Sequence, residues 1–164
     1  MIQKKLCMLG YHGVGKTSLV KRYLTATWDD KYHSTVGVKV DKKVMDVNGK
    51  QVTAMLWDIH GEDELQTVQM TYMRGASGYI IVVDGTRRKT LDAAIRLQSR
   101  AEEACGTVPF VVVFNKVDLS EEWEIAQSDL DDLASRGWPV YRASAKTGES
   151  VEAFFTDLVS SLVA

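Results

Sequence analysis

Two segments of the chain are apolar at nearly every position, YIIVVD at residues 79–84 and FVVVF at residues 110–114. A strand with one wet face alternates polar and apolar side chains, so an unbroken run of β-branched and aromatic residues fits a strand covered on both faces. Parallel sheets layered between helices supply that environment, and parallel neighbours need crossover connections of a dozen or more residues. Helical patterns at residues 16–24, 64–74, 90–103, 121–135 and 150–162 alternate with apolar runs at 4–10, 79–85, 109–115 and 138–144. VKVDKKVMDV (38–47) and QVTAMLWD (51–58) flank Asn48-Gly49, the dipeptide that accepts the positive φ angles of a two-residue hairpin, so these two should pair antiparallel. The expected architecture is α/β, a three-layer sandwich whose mostly parallel sheet carries one antiparallel edge strand. No linker or repeat interrupts it, and 164 residues fit one domain spanning 1–164.

Composition closes off several alternatives. With 45% hydrophobic residues, 26% charged and two prolines the chain is not of the disordered class. A net charge of -2 with scattered lysines supplies no basic field for nucleic acid. Cys7 and Cys105 lie far apart without metal-type spacing and read as reduced, mostly buried thiols. No apolar run reaches the roughly 20 residues of a membrane-spanning helix. The Met-Ile start and the lack of any cysteine after Cys105 leave no myristoylation or prenylation motif. The expectation is a soluble, cytoplasmic, unanchored monomer.

Ligands of such sheets bind outside the carboxyl ends of the strands. The segments that fall there are GYHGVGKTS, DIHGED, NKVD and SAKTG, the most polar and chemically loaded in the chain. GYHGVGKT, residues 10–17, fits G-x-x-x-x-G-K-[ST] with nothing missing. Glycines there allow backbone angles a side chain forbids, so successive N–H groups can turn inward around a phosphate at the positive end of the following helix. Gly10, His12, Gly13, Val14, Gly15, Lys16, Thr17 and Ser18 are therefore the candidate phosphate-binding residues. Lys16 would reach the β- and γ-phosphates, and the Thr17 hydroxyl would bind magnesium.

A phosphate loop does not by itself distinguish an ATPase, a GTPase or a small-molecule kinase. In NKVD the Asp118 carboxylate can accept two hydrogen bonds side by side, and guanine offers an N1–H and a 2-amino group in that arrangement where adenine does not. Asp118, following Asn115 and Lys116 at the end of a buried strand, thus points to guanine, and unpaired buried partners would make the discrimination large.

With these pieces in place the chain resembles the Ras superfamily of small GTPases, above all its Ras and Rab branches, over nearly its whole length. GYHGVGKT, Thr35 in YHSTVGV, WDIHG, NKVD and the SAK of Ser144, Ala145 and Lys146 stand in the family's order. The resemblance implies a P-loop NTPase of the G-domain type, with a six-stranded sheet and five helices, that binds GTP and GDP with magnesium and hydrolyses GTP. Carried over residue by residue, Thr35 resembles the threonine that closes on magnesium and the γ-phosphate, Asp58 the aspartate on the magnesium side, and Gly61 the glycine whose N–H touches the γ-phosphate. Trp28 stands where the family sets an aromatic ring against guanine, Ala145 and Lys146 would line the base, and Tyr32 would lie over the phosphates. For Trp28 a core position, and for Tyr32 an exposed one, remain as alternatives.

Ile59, His60, Gly61 and Glu62 depart from the family's usual threonine, alanine, glycine and glutamine, and His12 replaces a small residue. Glutamine can both donate to phosphate oxygens and accept from water, whereas an ionised glutamate only accepts and adds negative charge. The resulting expectation is slow unaided GTP hydrolysis, with Lys16, Thr35, Gly61 and Glu62 as the catalytic set. Three alternatives stand beside it: Glu62 managing water with help from a protonated His12 or His60, Glu62 turned to solvent, and a GTP-binding interaction module that does not hydrolyse. His33 reads as exposed. Effectors and regulators would read residues 31–40 and 60–74, bounded by Lys31, Val40, His60 and Arg74, by adding a strand to GVKVDKKVMD or packing on Tyr72 and Met73.

Overall fold

The computed structural model describes residues 2–25, 37–61, 63 and 67–163. Six strands and four α-helices follow one another as β1 (Ile2–Gly10), α1 (Lys16–Thr25), β2 (Val38–Val47), β3 (Lys50–Ile59), β4 (Gly78–Asp84), α2 (Lys89–Cys105), β5 (Phe110–Asn115), α3 (Gln127–Ser135), β6 (Val140–Arg142) and α4 (Val151–Val163). They form one sheet in the order β2-β3-β1-β4-β5-β6, and every pairing is parallel except β2 with β3. Asn48 (φ 52°) and Gly49 (φ 78°) make the tight turn of that hairpin, which sets Val47 opposite Lys50.

The period of two that governs strands divides the core. Leu6 and Met8 of β1, Ile80 and Val82 of β4, and Val111 and Val113 of β5 pack with Leu19, Tyr23, Phe154, Phe155 and Val159 of α1 and α4. Cys7, Leu9, Ile81, Val83, Val112 and Phe114 point the other way, against Leu91, Ala94, Leu97 and Leu133 of α2 and α3. Apolar side chains on both faces of the central strands are thus explained by helices on both sides.

Three expectations need correction. The helix expected at 64–74 is, over its described residues, an extended stretch followed by one 3₁₀ turn, Met70–Met73. Arg100 of α2 donates to the Val68 carbonyl at 2.9 Å, and Val68 and Met73 are buried against α2. Met73 therefore faces the core and offers nothing to a partner. The helix expected at 121–135 starts only at Gln127. Trp123 is extended there (ψ 126°), its ring fills the space above Gly85, and Glu124 N–H bonds the Gly85 carbonyl at 2.8 Å. Four α-helices, not five, stand among the described residues. Cys7 is buried, which pushes its pKa up to about 12, and Cys105 is partly buried at the end of α2, in keeping with mostly buried thiols.

Candidate functional site

The carboxyl ends of β1, β3, β4 and β5 and the turn after β6 meet at one edge. Between β1 and α1 the chain must curl tightly, and two glycines let it do so, Gly13 at φ 77° and Gly15 at φ 101°. A Cβ at Gly15 would lie 2.3 Å from Asn115 Nδ2, so glycine is required for close approach as well.

The loop's carbonyls are turned outward onto side chains from elsewhere in the fold. Asn115 Nδ2 donates to Val14 O at 2.9 Å, and Lys116 Nζ to Gly13 O at 3.2 Å. The side-chain oxygen Asn115 Oδ1 in turn accepts from Ala145 N–H at 3.2 Å. Ser144 Oγ donates to Asp118 Oδ1 at 2.7 Å and accepts from Thr147 N–H at 3.1 Å. NKVD, SAK and the phosphate loop are therefore one hydrogen-bonded unit, in which Lys146 is exposed. Outward carbonyls leave loop N–H groups other than that of Val14, which bonds the Tyr11 carbonyl at 3.4 Å, for the inside of the curl, the arrangement that receives an anion at a helix start.

Lys16 opens α1 and is only 7% exposed. Burial pulls its pKa down to about 8, partly opposed by the charge of Asp58. An anionic phosphate would favour the charged form further. Next to it the Thr17 hydroxyl donates to Asp58 Oδ2 at 2.5 Å, with Asp58 buried at the end of β3. A cavity of about 340 Å³, lined by Thr17, Lys21, Lys39, Asp41 and Asp58, opens beside the pair. Two hard oxygens at a phosphate loop fit magnesium, which takes one or two protein ligands and completes its shell with phosphate and water. Among the described residues no group of three or more His, Cys, Asp or Glu side chains builds a dedicated metal cage.

The segment after β3 is folded against the loop. His60 N–H bonds the Gly37 carbonyl at 2.7 Å. A Cβ at Gly61 would lie 2.8 Å from Lys16 Nζ and 3.1 Å from the backbone of His12. The rings of His12 and His60 face each other with centroids 6.4 Å apart.

This geometry accords with the comparisons. The family model described as the Ras family matches residues 5–164. The chain belongs to the Ras family. Ras-related protein Rab-1 of Theileria parva is 32% identical over 161 residues, covering 96% of this chain and 73% of that protein. Ras-related protein Rab-13 of Bos taurus is 30% identical, with 97% of this chain and 79% of the relative covered. Ras-related protein Rab-1D of Dictyostelium discoideum is 31% identical, with 96% and 78% covered. Ras-family proteins are GTP-binding small GTPases, and the six-stranded sheet with one antiparallel strand is the fold of that family.

Against this Ras-family frame, the structure brings together Gly10, His12, Gly13, Val14, Gly15, Lys16, Thr17, Ser18, Asp58, Gly61, Asn115, Lys116, Asp118, Ser144, Ala145 and Lys146 at one edge. Trp28, Tyr32, His33, Thr35 and Glu62 lie outside the described residues. Sequence reading missed Asp84 and Arg87. Asp84 ends β4 fully buried and accepts from Lys116 Nζ at 2.8 Å, Arg87 Nε at 3.0 Å and the Thr86 hydroxyl at 2.6 Å. The available signal was an acid closing an otherwise apolar strand.

Proposed function

We propose that the protein is a guanine-nucleotide switch that binds GTP and GDP with magnesium and hydrolyses GTP slowly without a partner. The observation that carries this reading is the bonding of Asn115 to both Val14 and Ala145, which locks the phosphate loop to the base-recognition turns. Asp118 selects guanine by accepting from its N1–H and 2-amino group, and Ala145 and Lys146 flank the ring. Trp28 and Tyr32 are proposed to cover the base and the phosphates. Loop N–H groups and Lys16 hold the β- and γ-phosphates. Thr17, Thr35 and Asp58 would hold magnesium, which when bound neutralises charge between the β- and γ-phosphate oxygens. Thr35 and Gly61 sense the γ-phosphate, and its loss lets residues 31–40 and 60–74 relax.

Glu62 sets the rate. It can accept from a water, but its charge repels the γ-phosphate, and it cannot donate as a glutamine would. Single-turnover hydrolysis of GTP by the parent beside Glu62→Gln tests this. Faster turnover by the variant is expected, and a variant no faster than the parent sinks it. The second reading, a module that holds GTP without turning it over, is favoured by His12, whose backbone closes on Gly61 and whose ring lies 6.4 Å from that of His60, where its bulk would crowd an approaching water. GTP still bound after prolonged incubation, with no gain from Glu62→Gln, would select it.

Partners read the nucleotide state through the β2 edge and the half-buried Trp57 and Tyr72, whose rings lie 6.5 Å apart. Val40 (42% exposed) and Val44 (52% exposed) add apolar surface on the edge strand itself. Equal partner affinity in the GTP-analogue and GDP forms would count against the switch.

A further inference from the structure

Three successive carbonyls of the phosphate loop each accept a hydrogen bond from a side chain of another segment. Two of the donors, Asn115 and Lys116, belong to the base-recognition turn. The third is Arg87, whose terminal nitrogen donates to the His12 carbonyl at 2.8 Å. Arg87 lies in the turn between β4 and α2, outside every motif that the sequence singles out.

The guanidinium is held from several directions. Its Nε donates to Asp84 Oδ2 at 3.0 Å, and its central carbon lies 5.7 Å from the centroid of the Tyr11 ring, within cation–π range. Its backbone is fixed as well: Arg87 N–H bonds the Asp84 carbonyl at 3.0 Å, and the Arg87 carbonyl accepts the Thr90 hydroxyl at 2.7 Å. A side chain so constrained loses little further freedom in holding the His12 carbonyl. The planar fork matters here, because separate nitrogens in a fixed geometry serve the carboxylate and the carbonyl, whereas Lys116 serves Asp84 and the Gly13 carbonyl from one freely rotating ammonium.

The charge arithmetic points the same way. Arg87 and Lys116 both contact the same oxygen of Asp84, so two cations share one anion and leave one net positive charge behind the loop. That excess lies on the carbonyl side of the curl whose other side presents N–H groups, and it favours an anionic ligand.

We propose that Arg87 is a positioning residue for the nucleotide's phosphates: by fixing the His12 carbonyl outward against Asp84 and Tyr11, it keeps the loop N–H groups turned in. The inference rests on the guanine-nucleotide reading above. It adds to the recognised nucleotide contacts a residue that touches the loop and never the ligand.

The test compares parent protein with Arg87→Ala, Arg87→Lys and, as a surface-charge control, Arg88→Ala, whose arginine pairs with Asp92 and Asp129 instead. Release of a fluorescent GDP analogue from the magnesium-loaded protein is followed, with the ³¹P resonance of the β-phosphate of bound GDP as the signature of loop geometry. Arg87→Ala should release GDP about tenfold faster and shift the β-phosphate resonance, the size expected for a charge-assisted hydrogen bond. Arg87→Lys should fall between it and the parent, and Arg88→Ala should match the parent. Should Arg87→Ala not yield folded protein, Arg87→Lys carries the test by the same two readouts. Parental release with an unmoved resonance in the folded Arg87 variants overturns the proposal. Hydrogen exchange at Gly13 and Val14 in nucleotide-free protein separates the two readings. A parent that retains no guanine nucleotide sinks the functional reading and this one with it. A parent that retains GDP, with loop exchange and release unchanged by Arg87→Ala, sinks the Arg87 inference alone.

Discussion

The Lys116 ammonium donates to the Asp84 carboxylate at 2.8 Å, so the turn that would read the base is anchored to an acid with no exposed surface. Burial alone would raise the pKa of Asp84, but hydrogen bonds from Lys116 and Thr86 outweigh it and hold the acid below its ordinary 3.8. A depressed carboxylate stabilises the fold above its unfolded pKa, and the contribution is lost as pH falls through the lower folded value. Asp84→Asn should therefore lower stability at pH 7 by roughly 2 kcal/mol, less than a fully buried pair because Lys116 and Arg87 are each partly exposed. Urea unfolding at pH 7 and near pH 3 checks this. The gap between parent and variant should narrow in acid, and a constant gap would show that ionisation of Asp84 is not the source.

Gly15→Ala combines two costs. Its φ of 101° strains any side chain, and the new Cβ would meet Asn115 Nδ2 at 2.3 Å. Displacing Asn115 breaks its bonds to Val14 and Ala145 together, so both the phosphate loop and the base turn should loosen. Thermal melting should fall by an amount corresponding to about 1–3 kcal/mol from backbone strain alone. Nucleotide recovered from the purified variant should drop well below the parental level. Full nucleotide content would mean that the loop adapts.

Phe155 stacks on Tyr23 with ring centroids 4.2 Å apart and 9° between planes, joining α4 to α1 with no exposed surface on Phe155. Phe155→Ala should cost about 3–5 kcal/mol, since the rigid sheet beneath limits collapse into the cavity. Phe155→Leu should recover most of that. Chemical unfolding of both variants is the measurement, and similar losses for the two would point to the aromatic contact rather than to volume.

At Gly61 an added methyl would press on Lys16 Nζ, a mobile end, and on the main chain of His12, which yields less readily. If Gly61 senses the γ-phosphate as proposed, Gly61→Ala should leave GDP affinity within about threefold of the parent while weakening a GTP analogue about tenfold or more. Paired affinity measurements decide the matter, with equal losses for both nucleotides counting against a γ-phosphate sensor.

The phosphate loop was legible because its chemistry is local: the glycine spacing, the lysine and the threonine serve one curl of chain. β4 and β5 were legible because burial on both faces writes itself as uninterrupted valine and isoleucine. The failures lie where distant contacts outweigh local propensity. A carbonyl at Val68 captured by Arg100 holds its segment out of a helix, and a tryptophan seated on Gly85 delays the start of α3, where the residues nearby favour helix. Arg87 was invisible for the same reason, since the carbonyl it holds is 75 residues away in the chain and adjacent only once β1 and β4 pair.

Among the described residues β3 is the one strand paired with β2, so the outer edge of the ten-residue strand has no partner in the sheet. Any extended chain can seed growth on such a border, including an identical molecule at high concentration. The exposed Lys39 and Lys42 set like charges against a second copy aligned there, so these lysines act as gatekeepers against fibril formation. Replacing the exposed Lys39 and Lys42 by threonine and valine would leave the sheet's interior untouched while turning a guarded border into a nucleus for aggregation.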